Sequence, residues 1–351
     1  MIKGVMMNKN NEKIIGHSNS FFHAVRSLFH KQEAGIFIIF LALCIIIGIL
    51  TPVFFKTANI INILRQISTI GIMAVGQAMV IIIAGIDLSV SSILSLSGCT
   101  VAVLSLGGMD SWLAAIVALL TGVIIGAING FISVKIGMAP FIATLGMQMI
   151  TRGIAFLITK GIPVKFLGAS GVLGSGSIPL GNDLQLPIQI IIMFLVYIIG
   201  LIVLSKTVFG RNLYAVGDNE KSAKLSGINS DRVKITAYVV SGLLAALAGI
   251  INAGNLTVAQ ASAGDGMELS VIAAVVIGGV SMSGGQGSIV GILIGAAIMG
   301  VIKNAFILLN FPATMQTLTI GFLIIASVGI DSIVKRRKAM KAITEKSAVK
   351  E

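Results

Sequence analysis

Hydrophobic residues in this chain come in long unbroken runs separated by short polar connectors, with little of the alternation that marks amphipathic helices or strands. A run of about 20 apolar residues crosses ~30 Å of hydrocarbon as an α-helix. Eight runs meet that measure: 36–55, 63–84, 113–134, 141–158, 188–204, 235–251, 289–309 and 318–334. Two more are weaker, 88–106 being full of Ser and Gly and 269–280 short and closed by glycines. The pattern therefore predicts an all-α integral membrane protein of about ten transmembrane helices, some of them broken. An even number of spans puts both tails on one side.

Composition agrees. Of the 351 residues, 56% are hydrophobic and 11% charged, against about 25% charged in soluble domains. A soluble fold of this length has no interior large enough for so much apolar surface, so the excess faces lipid. The net charge of +12 raises nucleic-acid binding as a possibility, but its distribution removes it. Lysines and arginines gather before residue 35, between Lys206 and Lys234, and after Val334. That is the bias of cytoplasmic segments, and no basic run is interleaved with stacking aromatics. The domain plan is a cytoplasmic tail over 1–34, a membrane region over 35–334 and a basic cytoplasmic tail over 335–351. Within the membrane region, 206–234 is expected inside the cell. The Gly-, Ser- and Pro-rich loop 161–187 is expected outside.

The chain also repeats itself. Gly85-Ile86-Asp87-Leu88-Ser89-Val90 returns as Gly266-Met267-Glu268-Leu269-Ser270-Val271, 181 residues later. Gly122 and Gly126 are echoed by Gly291 and Gly295, and Asn129 in part by Asn304. The copies lie five spans apart, an odd offset, so they run in opposite directions through the membrane. Such inverted repeats are common in transporters.

Asp87 and Glu268 occupy matching places beside the interrupted runs. A carboxylate within a bilayer costs at least ~2.5 kcal/mol and calls for a partner or an aqueous cavity. Two roles are open to each: capping the helix that follows, or facing a hydrophilic path together with Ser89 and Ser270. Span parity places the two carboxylates near opposite faces of the membrane. Arg65 and Arg152 are open to snorkelling or to pairing along a path, and Asn129 to an inter-helix hydrogen bond. Gly122, Gly126 and Gly130, like Gly291 and Gly295, have the spacing of closely packed helices.

Other chemistry is poorly supported. Gly200-Leu-Ile-Val-Leu-Ser205-Lys206-Thr207 approaches a phosphate loop, but Ser205 stands in for the second glycine and the preceding residues belong to an apolar span. No metal-ligand spacing and no nucleophile triad is present, and no cofactor is expected. The polar segment from Gly210 and Arg211 to Ile228 is more informative. Asp218 or Asn219 can cap a short helix running through Glu220, Lys221 and Ala223 to Leu225, followed by Ser226 and closed by Gly227. Ala223 and Leu225 are the apolar residues a cytoplasmic partner could cover. An ordinary amphipathic surface helix is the alternative.

At this loop the chain resembles the sugar-transport permease family of ABC importers, whose members carry ribose, xylose, arabinose and galactose, with the ribose permeases most alike. The resemblance runs from about residue 35 to 331. It rests on 85–90, Asn129-Gly130, the run from Pro140 through Thr144 to Gly146, Arg152-Gly153, 210–228, and Glu268-Leu269 through Gly278-Gly279 to Ser283-Gly284-Gly285. Ser91 and Ala84 depart from it, at positions where glycine is usual or frequent. The resemblance implies a non-enzymatic subunit of the bacterial plasma membrane with both termini cytoplasmic. It further implies a homodimer or heterodimer, an ATPase docked on the loop around Asn219 to Gly227, and sugar delivered by an extracytoplasmic binding protein. Asp87, Ser89, Asn129, Thr144, Arg152, Glu268 and Ser270 are the expected path or gating residues. An ion-coupled carrier remains an alternative, as does a permease of the same group for a nucleoside, autoinducer or other small solute.

Overall fold

The computed structural model describes residues 31–181, 184–312, 314–329 and 333. Most of the 1–34 segment and all of 335–351 therefore lie outside the described residues. The chain is a bundle of helices with two small antiparallel ribbons at one end. In order it forms α1 (Lys31–Leu50), α2 (Thr57–Ile82), α3 (Val90–Leu106), α4 (Ser111–Phe131, continued by a π turn at Ile132–Ile136) and α5 (Pro140–Thr159). Next come β1 (Val164–Lys165), β2 (Ser177–Gly181), β3 (Leu184–Pro187), α6 (Ile188–Lys206), α7 (Val208–Asp218), α8 (Glu220–Leu225) and α9 (Ser230–Leu256). The last are β4 (Val258–Ala259), α10 (Met267–Ile277), α11 (Ile289–Leu308) and α12 (Thr314–Gly329).

Seven of these helices are long and apolar enough to cross a membrane, and α3, α10 and α12 are shorter apolar helices. They coincide with the ten predicted runs. The chief difference is that the first helix already includes 31–34, inside the segment expected to be tail. Segment 161–187 is not wholly irregular: β2 pairs with β3, and β1 pairs with β4 from beyond α9.

Side-chain size explains the arrangement. α1, α4, α5, α6 and α12 expose large aliphatic residues, as a surface solvated by lipid does, whereas α2 is buried along most of its length. α9 packs against α2, α3 and α4 and is lined with Ala and Gly. A Cβ on Gly122 would collide with the carbonyl of Gly242, one on Gly126 with that of Tyr238, and one on Gly130 would lie 2.9 Å from Ile235 Cα. α10 and α11 meet in the same way, Gly291 on the carbonyl of Gly278 and Gly295 on that of Ala274. Without a hydrophobic drive between helices in lipid, such close backbone approach supplies the dispersion contact that holds them. A reciprocal amide pair, Asn59 with Asn304 at 2.9 and 3.1 Å, joins α2 to α11.

Candidate functional site

Two non-helical stretches interrupt the bundle, at 83–89 and 260–266. α2 ends in a reversal in which Ala84 N–H donates to Ile81 O (2.8 Å) and Gly85 N–H to Val80 O (2.9 Å). Ala84 has φ 58°, the left-handed region where glycine is the usual residue. The chain then passes Asp87 and starts α3 at Val90.

Buried polar side chains converge on this first break. Asp87 Oδ1 accepts from Ser89 N–H (3.0 Å) and Ser89 Oγ–H (2.6 Å), and Oδ2 accepts from Ser241 Oγ–H on α9 (3.0 Å). Asn129 of α4 donates to Ser89 Oγ (2.8 Å). Thr144 of α5 accepts from Leu88 N–H (3.1 Å), and its hydroxyl lies within donating distance of the carbonyls of Ile86 (3.2 Å) and Pro140 (2.8 Å). In the amide orientation its neighbours require, Gln77 donates to Asp87 O (3.0 Å) and accepts from Asp87 N–H (3.2 Å). Asp87, Ser89, Asn129, Thr144, Gln77 and Ser241 are all buried. The structure thus brings Asp87, Ser89, Asn129 and Thr144 into one sealed network. A carboxylate so placed is tolerated because its lone pairs are occupied by donors held in position.

The second break is built differently. Arg152 of α5 reaches across to it, its Nη1 donating to the carbonyls of Ala261 and Ala263, both at 2.8 Å. Its Nη2 lies 3.6 Å from Asp265 Oδ1. Arg152 therefore ties down backbone carbonyls rather than snorkelling. Thr144 and Arg152 are eight residues apart on one helix, so α5 braces both breaks. Glu268 sits in the first turn of α10, and its Oε2 is buried with no hydrogen bond from the described residues. Ser270 is buried in the same helix.

The two breaks meet inside the bundle. A Cβ at Gly264 would lie 3.1 Å from Leu94 Cδ2 and 3.4 Å from Ser91 O, at the start of α3. Asp87 is bonded to Ser241, the twelfth residue of the 27 in α9. The expectation that the two carboxylates lie near opposite faces is thereby corrected. Counting whole spans ignores that each broken stretch re-enters the bundle and carries its carboxylate inward.

At the end of the bundle opposite the ribbons, α7 and α8 form an elbow. Asn219 accepts from Ser222 N–H (3.0 Å) and caps α8. Gly227, φ 83°, closes it, with Gly227 N–H on Lys224 O and Ile228 N–H on Ala223 O, both at 3.0 Å. Ala223 is buried within the chain, so it is not available to a partner, whereas Leu225 is 91% exposed. Gly210 lies tight against the last turn of α6, and Arg211, Lys221, Ser226 and Gly227 face outward. Glu220 pairs with Lys234 of α9 (2.6 Å) and Lys224 (3.0 Å). Hydrogen bonding from Lys234 foremost, against a smaller opposing effect of burial, holds its carboxyl below the ordinary glutamate range.

The elbow touches the end of α2, where the first break begins, and the loop that follows α10. A Cβ on Gly217 would collide with the carbonyl of Ile82, the last residue of α2. Gly285 N–H donates to that same carbonyl (2.8 Å), and Tyr214 Oη–H donates to Gly287 O (2.9 Å) in the loop between α10 and α11. Sequence reasoning missed Ser241 and Tyr214, whose partners lie 154 and 73 residues away, and Gln77, which meets Asp87 only because the chain reverses after α2. Among the described residues no group of three or more His, Cys, Asp or Glu could hold a metal ion.

Comparison with known proteins places this geometry in context. The pattern of a family described as "Branched-chain amino acid transport system / permease component" matches residues 59–328. The "Ribose import permease protein RbsC" of Bacillus subtilis (strain 168) is 43% identical over 300 residues, covering 86% of this chain and 92% of that protein. The protein of the same name from Escherichia coli (strain K12) is 41% identical over 301 residues, covering 86% and 94%. The "D-allose transport system permease protein AlsC" of Escherichia coli (strain K12) is 36% identical over 314 residues, covering 87% and 93%. No solved structure gives a significant match.

Proposed function

The chain belongs to this family of transport-system permease components, and from that premise we propose that it is the membrane subunit of an ATP-driven importer for a monosaccharide, ribose or a close relative. Relatives named for ribose, allose, fructose and L-arabinose import support the substrate class more narrowly than the family description does. The chain is not an enzyme; a separate ATPase subunit supplies hydrolysis, and a substrate-binding protein supplies the sugar. The observation that carries the mechanism is the contact of one polar elbow with the end of α2, where the first break begins, and with the loop at the far end of α10 from the second break, through the carbonyls of Ile82 and Gly287.

In this reading α7 and α8 lie in the cytoplasm, the ribbons lie outside, and both termini are cytoplasmic, as the basic residues around the elbow favour. The ATPase grips the exposed face of α8 around Lys221 and Leu225. Its movement passes through Glu220 and Lys234 into α9, and through Gly217 and Tyr214 into the ends of α2 and the α10–α11 loop. Asp87, Ser89, Asn129 and Thr144 act as a joint that moves as a unit. Arg152, Glu268 and Ser270 belong to the side that opens. Two such chains, identical or paralogous, enclose the path. Alternating access is then a population shift between two packings, driven by a motor that binds them unequally.

Vesicles reconstituted with this chain, its ATPase and its binding protein should accumulate labelled ribose when ATP is enclosed with the motor. Competition among unlabelled monosaccharides ranks the substrates. Uptake by this chain without the ATPase would overturn the proposal and favour a carrier.

A further inference from the structure

The second break presents a face that the first does not. From 259 to 263 burial alternates: Ala259 and Ala261 are buried, and Gln260 and Ser262 are exposed. The backbone proceeds by turns, Ala263 N–H to Gln260 O (3.0 Å), Asp265 N–H to Ser262 O (3.3 Å) and Met267 N–H to Gly264 O (2.9 Å). The alanines and the Arg152 clamp fix one side of this stretch, so Gln260, Ser262 and Asp265 point away from the protein. The Asp265 side chain is 79% exposed. No side chain caps the start of α10, which follows directly.

Depth decides what this face meets. Gly264 lies against Leu94, twelve residues before the end of α3 at Leu106, which is about 18 Å of helix. Turn backbone and an exposed carboxylate at that depth cannot face hydrocarbon, where irregular chain is tolerated only within protein or along water. The first break shows what the protein-buried case looks like: both carboxylate oxygens of Asp87 are occupied, and the polar side chains of Asp87 and Ser89 are buried. At the second break Gln260 and Ser262 are exposed, and Asp265, though 3.6 Å from Arg152 Nη2, keeps most of its side chain open.

We infer that Gln260, Ser262 and Asp265, carried on the Arg152-clamped turn and joined by Glu268, form the hydrophilic wall of the path and contact a neutral polyol during its passage. An amide, a hydroxyl and a carboxylate together offer the mixed donors and acceptors that sugar hydroxyls need. Asp265 and Glu268 repel anions, so sugar phosphates are excluded. The wall is also positioned to move, because α10 runs from it to the loop that Tyr214 ties to the elbow and Gly285 ties to the end of α2. This inference rests on the monosaccharide reading for the identity of the polyol but not for the presence of the wall.

The test uses the full complex in membrane vesicles, with Cys44 and Cys99 replaced by alanine and single cysteines introduced by Gln260→Cys, Ser262→Cys and, as a lipid-facing control on α5, Ile150→Cys. Ile150 is 57% exposed. A charged methanethiosulfonate attacks only hydrated thiolates, so cysteines at 260 and 262 should react at least about tenfold faster than the control. D-ribose should slow them, and D-ribose 5-phosphate should not. Reaction at the control's rate would overturn the wall, showing the face to be covered by lipid or by a second copy of the chain. Fast reaction unaffected by any neutral monosaccharide would overturn the sugar contact. A wild-type complex that imports no monosaccharide would instead refute the proposed substrate, while the labelling rates still decide the wall.

Discussion

Removing the carboxylate of Asp87 separates its structural role from any role of its charge in transport. Three donors converge on it: the Ser89 amide, the Ser89 hydroxyl and the Ser241 hydroxyl. In Asp87→Ala the hydroxyls can rotate to other acceptors at a loss of about 1 kcal/mol each, but the buried Ser89 N–H cannot turn and is orphaned at about 1–3 kcal/mol. The loss is roughly 3–5 kcal/mol. Asp87→Asn keeps an oxygen for the Ser89 amide, and its new amide can donate to Ser241 Oγ, so the loss is about 1–2 kcal/mol. A gap of about 2–3 kcal/mol between the variants corresponds to at most roughly 4–12 °C in melting temperature, taking about 2–4 °C per kcal/mol, the value for domains of about 150–250 residues, as an upper bound for this longer chain.

The assay heats the detergent-purified complex and measures the fraction that stays monodisperse, with ribose uptake read in parallel. We predict that Asp87→Asn melts near wild type and transports, and that Asp87→Ala melts well below both. Equal melting of the two variants, or an alanine variant within 2 °C of wild type, would refute the reasoning, because neither fits a network that depends on the oxygen facing Ser89.

The elbow gives a charge-swap prediction: Glu220→Lys should cut uptake severalfold with insertion unchanged, and adding Lys234→Glu should restore part of it, as a directly coupled pair requires; failure of the swap would point to contact with the motor alone. Its pH dependence has a definite sign. The Glu220 carboxyl is held below its ordinary 4.5, so the pairing contributes fully above that value and is lost as pH falls through the lowered one. The Lys224 ammonium is raised above its ordinary 10.5, so its share is complete below that value and lost only as pH rises beyond it. Uptake between about pH 5.5 and 8 should therefore show no step attributable to this pair. In the helix seam, Gly122→Val places atoms in the carbonyl of Gly242 and should destabilise by about 1–3 kcal/mol or more, whereas Gly146→Ala, with nothing within 4 Å of the new atom, should be neutral or stabilising by up to about 1 kcal/mol.

The helices were legible in the sequence because lipid imposes a simple demand, a run of apolar residues of fixed length. The breaks were legible too, as places where Ser and Gly interrupt such runs, and so was α8, since Asn219 and Gly227 are local start and stop signals. What the carboxylates do was not legible. Ser241 stands 154 residues from Asp87 and looks like any small residue in an apolar span. Arg152 gave no sign of its role, because the carbonyls it clamps become free only when 260–266 is not helical. Asn129 and Asn304 occupy echoing places in the repeats, yet one bonds Ser89 and the other Asn59. An inverted repeat preserves the course of the backbone while side-chain pairing diverges. Ala223 and Leu225 were equivalent as apolar residues of one short helix, and only packing against the chain's own α9 and α7 tells the buried from the exposed.

The account depends most on the elbow facing the cytoplasm and meeting the motor there. Leu225→Cys, in a chain with Cys44 and Cys99 replaced by alanine, should react with a membrane-impermeant maleimide in inside-out vesicles, not in right-side-out ones, and should lose that reactivity when the ATPase subunit is bound. Labelling from the exterior face, or reactivity indifferent to the ATPase, would contradict it.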